Sequence, residues 1–202
     1  MTKRNMIKLG LIYGITALLV ACGPKPVKPL KMDPHYQVFD FKQLGILPIL
    51  DARKDRKVNY EFDKKLKRSI IRLFGKQKAY KLKFEQGYGL HRAINPDDLS
   101  SPDPEWVRRL APDGGARFQL LFVIEDLQSR LTFGSVGSAE VSSYLFDTKE
   151  GRLVWFHKGV GKAGQGGLIG MAMKGAMAGM ALQGAVWRLA LAFPKQGEAP
   201  VH

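Results

Sequence analysis

SSYLFDTKEGRLVWFHKGVG, residues 142–161, decides the fold. Asp147-Thr-Lys-Glu-Gly151 reads as a turn between two strands, predicted over Val136–Phe146 and Leu153–Val160. Gly151 can take the positive φ that the bulge of such a hairpin needs. Immediately upstream, Phe118 to Ile124 is apolar on both faces, the pattern of a strand buried in the centre of a sheet.

Moving outward, Asp103 and Pro104 stand at the cap and first position of a short helix through Trp106, Val107 and Leu110, with Gly114 and Gly115 after it. Tyr80, Leu82 and Phe84 alternate with Lys81 and Lys83, as in a half-buried strand. Phe62, Leu66, Ile70 and Leu73/Phe74 recur at helical spacing. Asn59 is placed to cap that helix, Glu61 and Asp63 suit its positive end, and Gly75 is the expected stop. Leu44–Leu50 reads as the first strand, with Pro48 at its end or on an edge because proline has no donor for a ladder. The order β-α-β-α-β-β-β predicts an α/β (α+β) domain, a single mixed sheet with packed helices.

Beyond the hairpin lies GKAGQGGLIGMAMKGAMAGMALQGAVWRLALAF, residues 161–193. Its glycines lack the Gly-Lys-Ser/Thr ending of a phosphate loop. Three readings stay open. The segment is a flexible Gly-rich crossover into a helix over Gln183–Phe193; or Gly175 and Gly179, with the alanines and methionines around them, form a self-association face; or it enters a bilayer. The methionines are more simply packing than metal ligands.

The amino-terminal end is of another kind. Lys3, Arg4 and Lys8 precede an uncharged, mostly apolar run, Leu9–Ala21. Thirteen residues are too few for a ~30 Å hydrocarbon core, which takes roughly 20, so the run reads as a secretory signal. The chain's one cysteine, Cys22, follows at once. Pro24, Pro26, Pro29 and Pro34 alternate with lysines after it and predict an extended, unpaired tether or, as readily, a disordered linker of no defined reach. The expected division is a signal over 1–21, a tether over 22–34, one domain over 35–194 and a flexible tail over 195–202.

Formal net charge is +14, and much of it is local: residues 52–83 hold thirteen Lys or Arg against Asp55, Glu61 and Asp63. Lys64, Lys65, Lys67 and Arg68 are the candidate contact for anionic lipid, set against the plainer reading of a solvated helix face. Export argues against nucleic acid as the partner. His35, His91, His157 and His202 fall in no metal-ligand or triad spacing, and His157 reads as a sheet residue. Asp97, Asp98, Asp103 and Glu105 are explained as turn and cap residues. No nucleophile, base and orienter can be named together, so the expectation is no enzyme, no cofactor and no metal.

Two resemblances add to this. Leu19-Val20-Ala21-Cys22 resembles a bacterial lipobox. That implies Cys22 is lipidated on sulfur, becomes the mature terminus and is acylated on its amine, as with palmitate. Gly23 in place of an aspartate favours the outer membrane on the same resemblance. GILPILDAR, GARFQLLFVIEDL and SSYLFDTKEGRLVWFHKGVG together resemble the TolB N-terminal-domain-like group and CsgG-like outer-membrane lipoproteins. In those families an aromatic, an acidic turn, a glycine and a tryptophan mark the hairpin, matched here by Tyr144, Asp147, Gly151 and Trp155.

The expected protein is a non-enzymatic outer-membrane lipoprotein, membrane-held through Cys22 and facing the periplasm. It is an interaction or assembly module with an envelope protein as partner, and a homo-oligomer. The alternative is an accessory or pore-forming subunit of a transport or secretion system, CsgG-like or lipid-handling. A pore needs alternating, lipid-facing strands of about 9–11 residues, and from the sequence only the 136–160 hairpin reaches that length.

Overall fold

The computed structural model describes residues 28–33, 42–54, 62–86, 96–111, 113–167 and 174–195. Seven strands form one mixed sheet: β1 (Lys31–Met32), β2 (Gln43–Ile46), β3 (Leu50–Asp51), β4 (Lys81–Phe84), β5 (Phe118–Thr132), β6 (Gly134–Asp147) and β7 (Arg152–Gly166). Their spatial order is β1-β7-β6-β5-β2-β4, with β3 also on β5. β4, β2, β3 and β5 run parallel. β5, β6, β7 and β1 run antiparallel. The helices are α1 (Phe62–Ile70), α2 (Pro104–Arg108) and α3 (Lys174–Ala192). The predicted single mixed sheet with packed helices is the fold found.

β5 explains the layering. Leu120, Phe122 and Ile124 point into a core shared with Leu66, Ile70, Phe74 and the buried side of α3. Leu121 and Val123 point the other way, against Leu99, Val107 and Leu110. Both faces of this stretch are therefore dry, as its unbroken apolar run requires. Pro48 splits the first predicted strand, so β2 ends at Ile46 and pairing with β5 resumes at Leu50.

The hairpin turn is pinned by Asp147. Its carboxylate receives two bonds from Arg117, Nε at 2.8 Å and a terminal nitrogen at 2.6 Å, and the amides of Lys149 and Glu150 at 3.0 and 3.3 Å. Gly151 has φ 69°, as its place in the turn demands.

Four expectations change. Gly75 does not stop the first helix: a π-helical turn continues to Gln77, and Ala79, at φ 65°, turns the chain. Lys31 and Met32, assigned to an unpaired tether, form β1 on the outer edge of β7, where Asp33 also pairs with Arg152. β5 does not end at Ile124 but runs to Thr132, because a bulge between Ile124 and Asp126 absorbs the charged step.

The glycine-rich end is regular structure where it is described. Gly161, Gly164 and Gly166 belong to β7, and α3 starts by Lys174, well before Gln183. A Cβ on Gly161 would lie 1.8 Å from the Ala181 carbonyl oxygen, and one on Gly159 2.1 Å from that of Ala185. A Cβ on Gly137 would lie 2.4 Å from the Met177 backbone. These glycines let α3 lie directly on the sheet.

Candidate interaction surfaces

Beyond Ile124 the antiparallel ladder projects past the parallel strands. The pairings Asp126↔Glu140↔Val160, Gln128↔Ser138↔Lys162 and Arg130↔Val136↔Gly164 place these residues on the face opposite α3. Glu125 and Glu140 both pair with Lys158, the latter at 3.7 Å, and the Ser142 hydroxyl donates to Glu125 at 2.5 Å. The hydrogen bond from Lys158 to Glu125 is the main reason its ammonium titrates above the usual lysine value. This face is a polar, charge-paired surface.

At the end of the ladder the surface turns apolar. Thr132 pairs with Gly134, so Phe133 alone makes the turn, and it is 91% exposed. Leu131 is 52% and Val136 47% exposed. The turn is tight: Gly134 has φ 142°, and the Gly167 amide donates to the Phe133 carbonyl at 3.1 Å.

A groove of about 220 Å³ lies between β7 and α3, lined by His157, Lys158, Val160, Trp187, Arg188 and Leu191. His157 is a buried strand residue, as expected. Among the described residues its Nδ1 has no hydrogen-bond partner, and burial holds its pKa below the ordinary histidine value. Met180 and Trp187 stand out from the far side of α3, 54% and 42% exposed.

Among the other sequence-predicted residues, Lys64, Lys65, Lys67 and Arg68 are all exposed on α1. Lys67 Nζ sits 5.9 Å from the Phe84 ring centre. Gly175 is exposed, and a Cβ added there would meet nothing within 4 Å, whereas Gly179 is buried, so the two glycines do not open onto one common surface. Cys22 and the lipobox-like residues Leu19, Val20 and Ala21 lie outside the described residues, as do His35, His91 and His202. Asp103 caps α2 by accepting from the Glu105 amide at 3.1 Å. Among the described residues no group of three or more His, Cys, Asp or Glu is placed to hold a metal ion, and no helix is long and apolar enough to cross a membrane. The exposed turn at Phe133 was missed by the sequence reading. Its signal was Leu-Thr-Phe-Gly after an alternating polar stretch.

The class these features define is an α+β domain with one mixed sheet; among the described residues, half of it is covered on both faces and half projects under α3 alone. No protein-family model and no curated relative matches the sequence. Among solved structures the chain is similar to protein XCC0632 from Xanthomonas campestris, at 12% identity over 82% of this chain and 90% of that one, with a TM-score of 0.48. It is also similar to the hypothetical protein CT253 from Chlamydia trachomatis, at 17% identity, 74% and 96% coverage and a TM-score of 0.44. Lipoprotein GNA1162 from Neisseria meningitidis is a third, at 13% identity, 65% and 90% coverage and a TM-score of 0.40. At such low identities and scores, no functional reading rests on them.

Proposed function

We propose that the chain is a non-enzymatic outer-membrane lipoprotein, held by acylated Cys22, whose α+β domain is a periplasmic interaction module of the cell envelope. The observation that carries this is the order of parts at the amino-terminal end: basic head, thirteen-residue apolar run, Leu-Val-Ala-Cys, then a proline-punctuated tether. One acyl chain anchors marginally, whereas two or more, at about 0.8 kcal/mol per buried CH₂, anchor stably. The TolB-like resemblance of the hairpin belongs to the same reading.

The test is direct. Mass spectrometry of the chain from envelopes should find Cys22 at the terminus with acyl groups attached, in the denser membrane fraction. Cys22→Ser should leave the membrane; equal membrane retention of that variant would sink the proposal.

For partners, the module reading is a homo-oligomer that also docks an envelope protein. The apolar ridge of Met180 and Trp187 on α3 supports it better than the Gly175/Gly179 pair does. Light scattering should give a mass above the monomer, and Trp187→Glu should lower it. The exposed lysines of α1 suit anionic headgroups. Neutralising Lys64, Lys65, Lys67 and Arg68 is expected to weaken binding to anionic vesicles, at roughly 1 kcal/mol for each charge near the surface; unchanged binding assigns them to a solvated face.

One observation favours the transport alternative: β5, β6 and β7 have 15, 14 and 15 residues, longer than a membrane strand needs. The face opposite α3, with Asp126, Arg130, Glu140, Lys158 and Lys162, is unsuited to lipid. Absence of conductance in planar bilayers is the expected result.

A further inference from the structure

The projecting turn and the tether point the same way. β1 is antiparallel to β7, with Lys31 opposite Phe156 and Met32 opposite Trp155. The chain therefore reaches Lys31 from the side where β7 continues towards Gly166, the end that carries Phe133. Nine residues separate Cys22 from Lys31, a reach of up to about 28 Å at ~3.1 Å per residue. From Phe156 to Gly164 the strand itself advances about 26 Å, and Gly164 is opposite Val136 in the turn region. An anchor at Cys22 thus has the length, and its last paired residues have the direction, to bring the Phe133 end of the sheet to the membrane.

We propose that Leu131, Phe133 and Val136 form a second membrane contact, seated at the headgroup–acyl boundary of the phospholipid bilayer that holds the Cys22 anchor. This rests on the lipid-anchor reading above. Three features of the turn suit it. Phe133 is held outward by a backbone with little freedom, since Thr132 pairs with Gly134 and the Gly167 amide bonds the Phe133 carbonyl. Aromatic side chains settle at that depth of a bilayer. Charge is also ordered along the ladder: Arg130 and Lys162, both exposed, stand nearest the turn, where lipid phosphates would be. Asp126 lies six residues before Thr132 and Glu140 six residues after Gly134, about 20 Å from the turn. The opposite end of the ladder, at Lys149 and Glu150, carries exposed charge.

The experiment uses the full chain, purified in its lipidated form and reconstituted into phosphatidylethanolamine–phosphatidylglycerol vesicles. With Cys22 acylated, Phe133→Cys carries the only free thiol, and Lys149→Cys places one at the far end of the sheet. Each is labelled with an environment-sensitive fluorophore. The label at 133 should shift to the blue and be quenched by brominated lipid, while the label at 149 does neither. Equal, weak quenching at both positions overturns the proposal and leaves the anchor standing. A blue shift at 133 without bromine quenching means protein covers the turn, and overturns it too. Failure of the anchor reading shows separately, because the parent chain would then take up label at Cys22.

Discussion

Residues 118–124 and 125–132 belong to one strand, β5, and live in different surroundings. The first stretch has β2 and β3 on one side, β6 on the other, and helices over both faces; Leu120, Leu121, Phe122, Val123 and Ile124 are fully buried. Among the described residues the second has only the antiparallel ladder and α3 over one face, and it shows Asp126, Gln128 and Arg130 to the other. The difference separates stability from surface. Side chains in the first half hold the domain together, so few can change. Those in the projecting half are supported by a helix behind them and can vary towards a partner or a membrane.

The largest test of that contrast is a pair of truncations in the same strand. Phe122 meets the edge of Phe74 at 5.5 Å between ring centres and is completely buried. Phe122→Ala is expected to destabilise by about 3–5 kcal/mol, the usual range for an emptied aromatic site. Leu131→Ala, at an exposed position, should change stability by less than about 0.5 kcal/mol. Urea denaturation measures both, and similar losses would erase the distinction.

The sequence showed the first half well and the second poorly, for a physical reason. A strand buried on both faces announces itself as a continuous apolar run, and Phe118–Ile124 is one. The projecting half alternates, and its period is broken at Glu125-Asp126, where the bulge sits. A period-based reading stops there and loses Phe133. Residues 161–166 were hidden differently. Their glycines serve a close approach by α3, a tertiary fact, while local rules read glycine as flexibility. The hairpin turn was legible, since Asp147 accepts from the amides of Lys149 and Glu150 and Gly151 takes its positive φ locally; the pairing of Asp147 with Arg117 is a tertiary contact that no local rule shows. Cys22 and the lipobox-like Leu19-Val20-Ala21 before it are legible only as sequence, and the basic face of α1 was read correctly as exposed.

A smaller effect tests why α3 can cover the projecting half at all. Gly161→Ala forces a methyl into the Ala181 carbonyl, which is backbone and cannot swing aside. It should destabilise by about 1–3 kcal/mol, the range for overpacking. Gly164→Ala is the matched control: its nearest neighbours, the Ser135 carbonyl and a Val136 methyl, are 3.8 Å away. It should fall within about 0.5 kcal/mol of the parent. If the two alanines behave alike, contact of α3 with the sheet is not what these glycines provide.

The smallest effect lies within the covered half, where His157 is opposite Ser143 and Ser143 is opposite Phe122. His157 is on the α3 side of β7, 7% exposed, with its ring 6.3 Å from that of Trp155 and with Lys158 and Arg188 on the walls of the same groove. Burial disfavours the imidazolium, so the folded chain binds this proton less readily than the unfolded chain, which titrates near the ordinary value. The unfolded state therefore holds more protons below about pH 6.5. Stability is complete above that value and is lost as pH falls from it towards the lower native pKa. His157→Phe keeps an aromatic ring and removes the proton. Its urea midpoint should fall less between pH 7 and 5 than the parent's, with other titrating groups common to both chains. Parallel slopes would mean that water reaches the ring, and that α3 does not seal β7 even at the level of Phe122, inside the covered half.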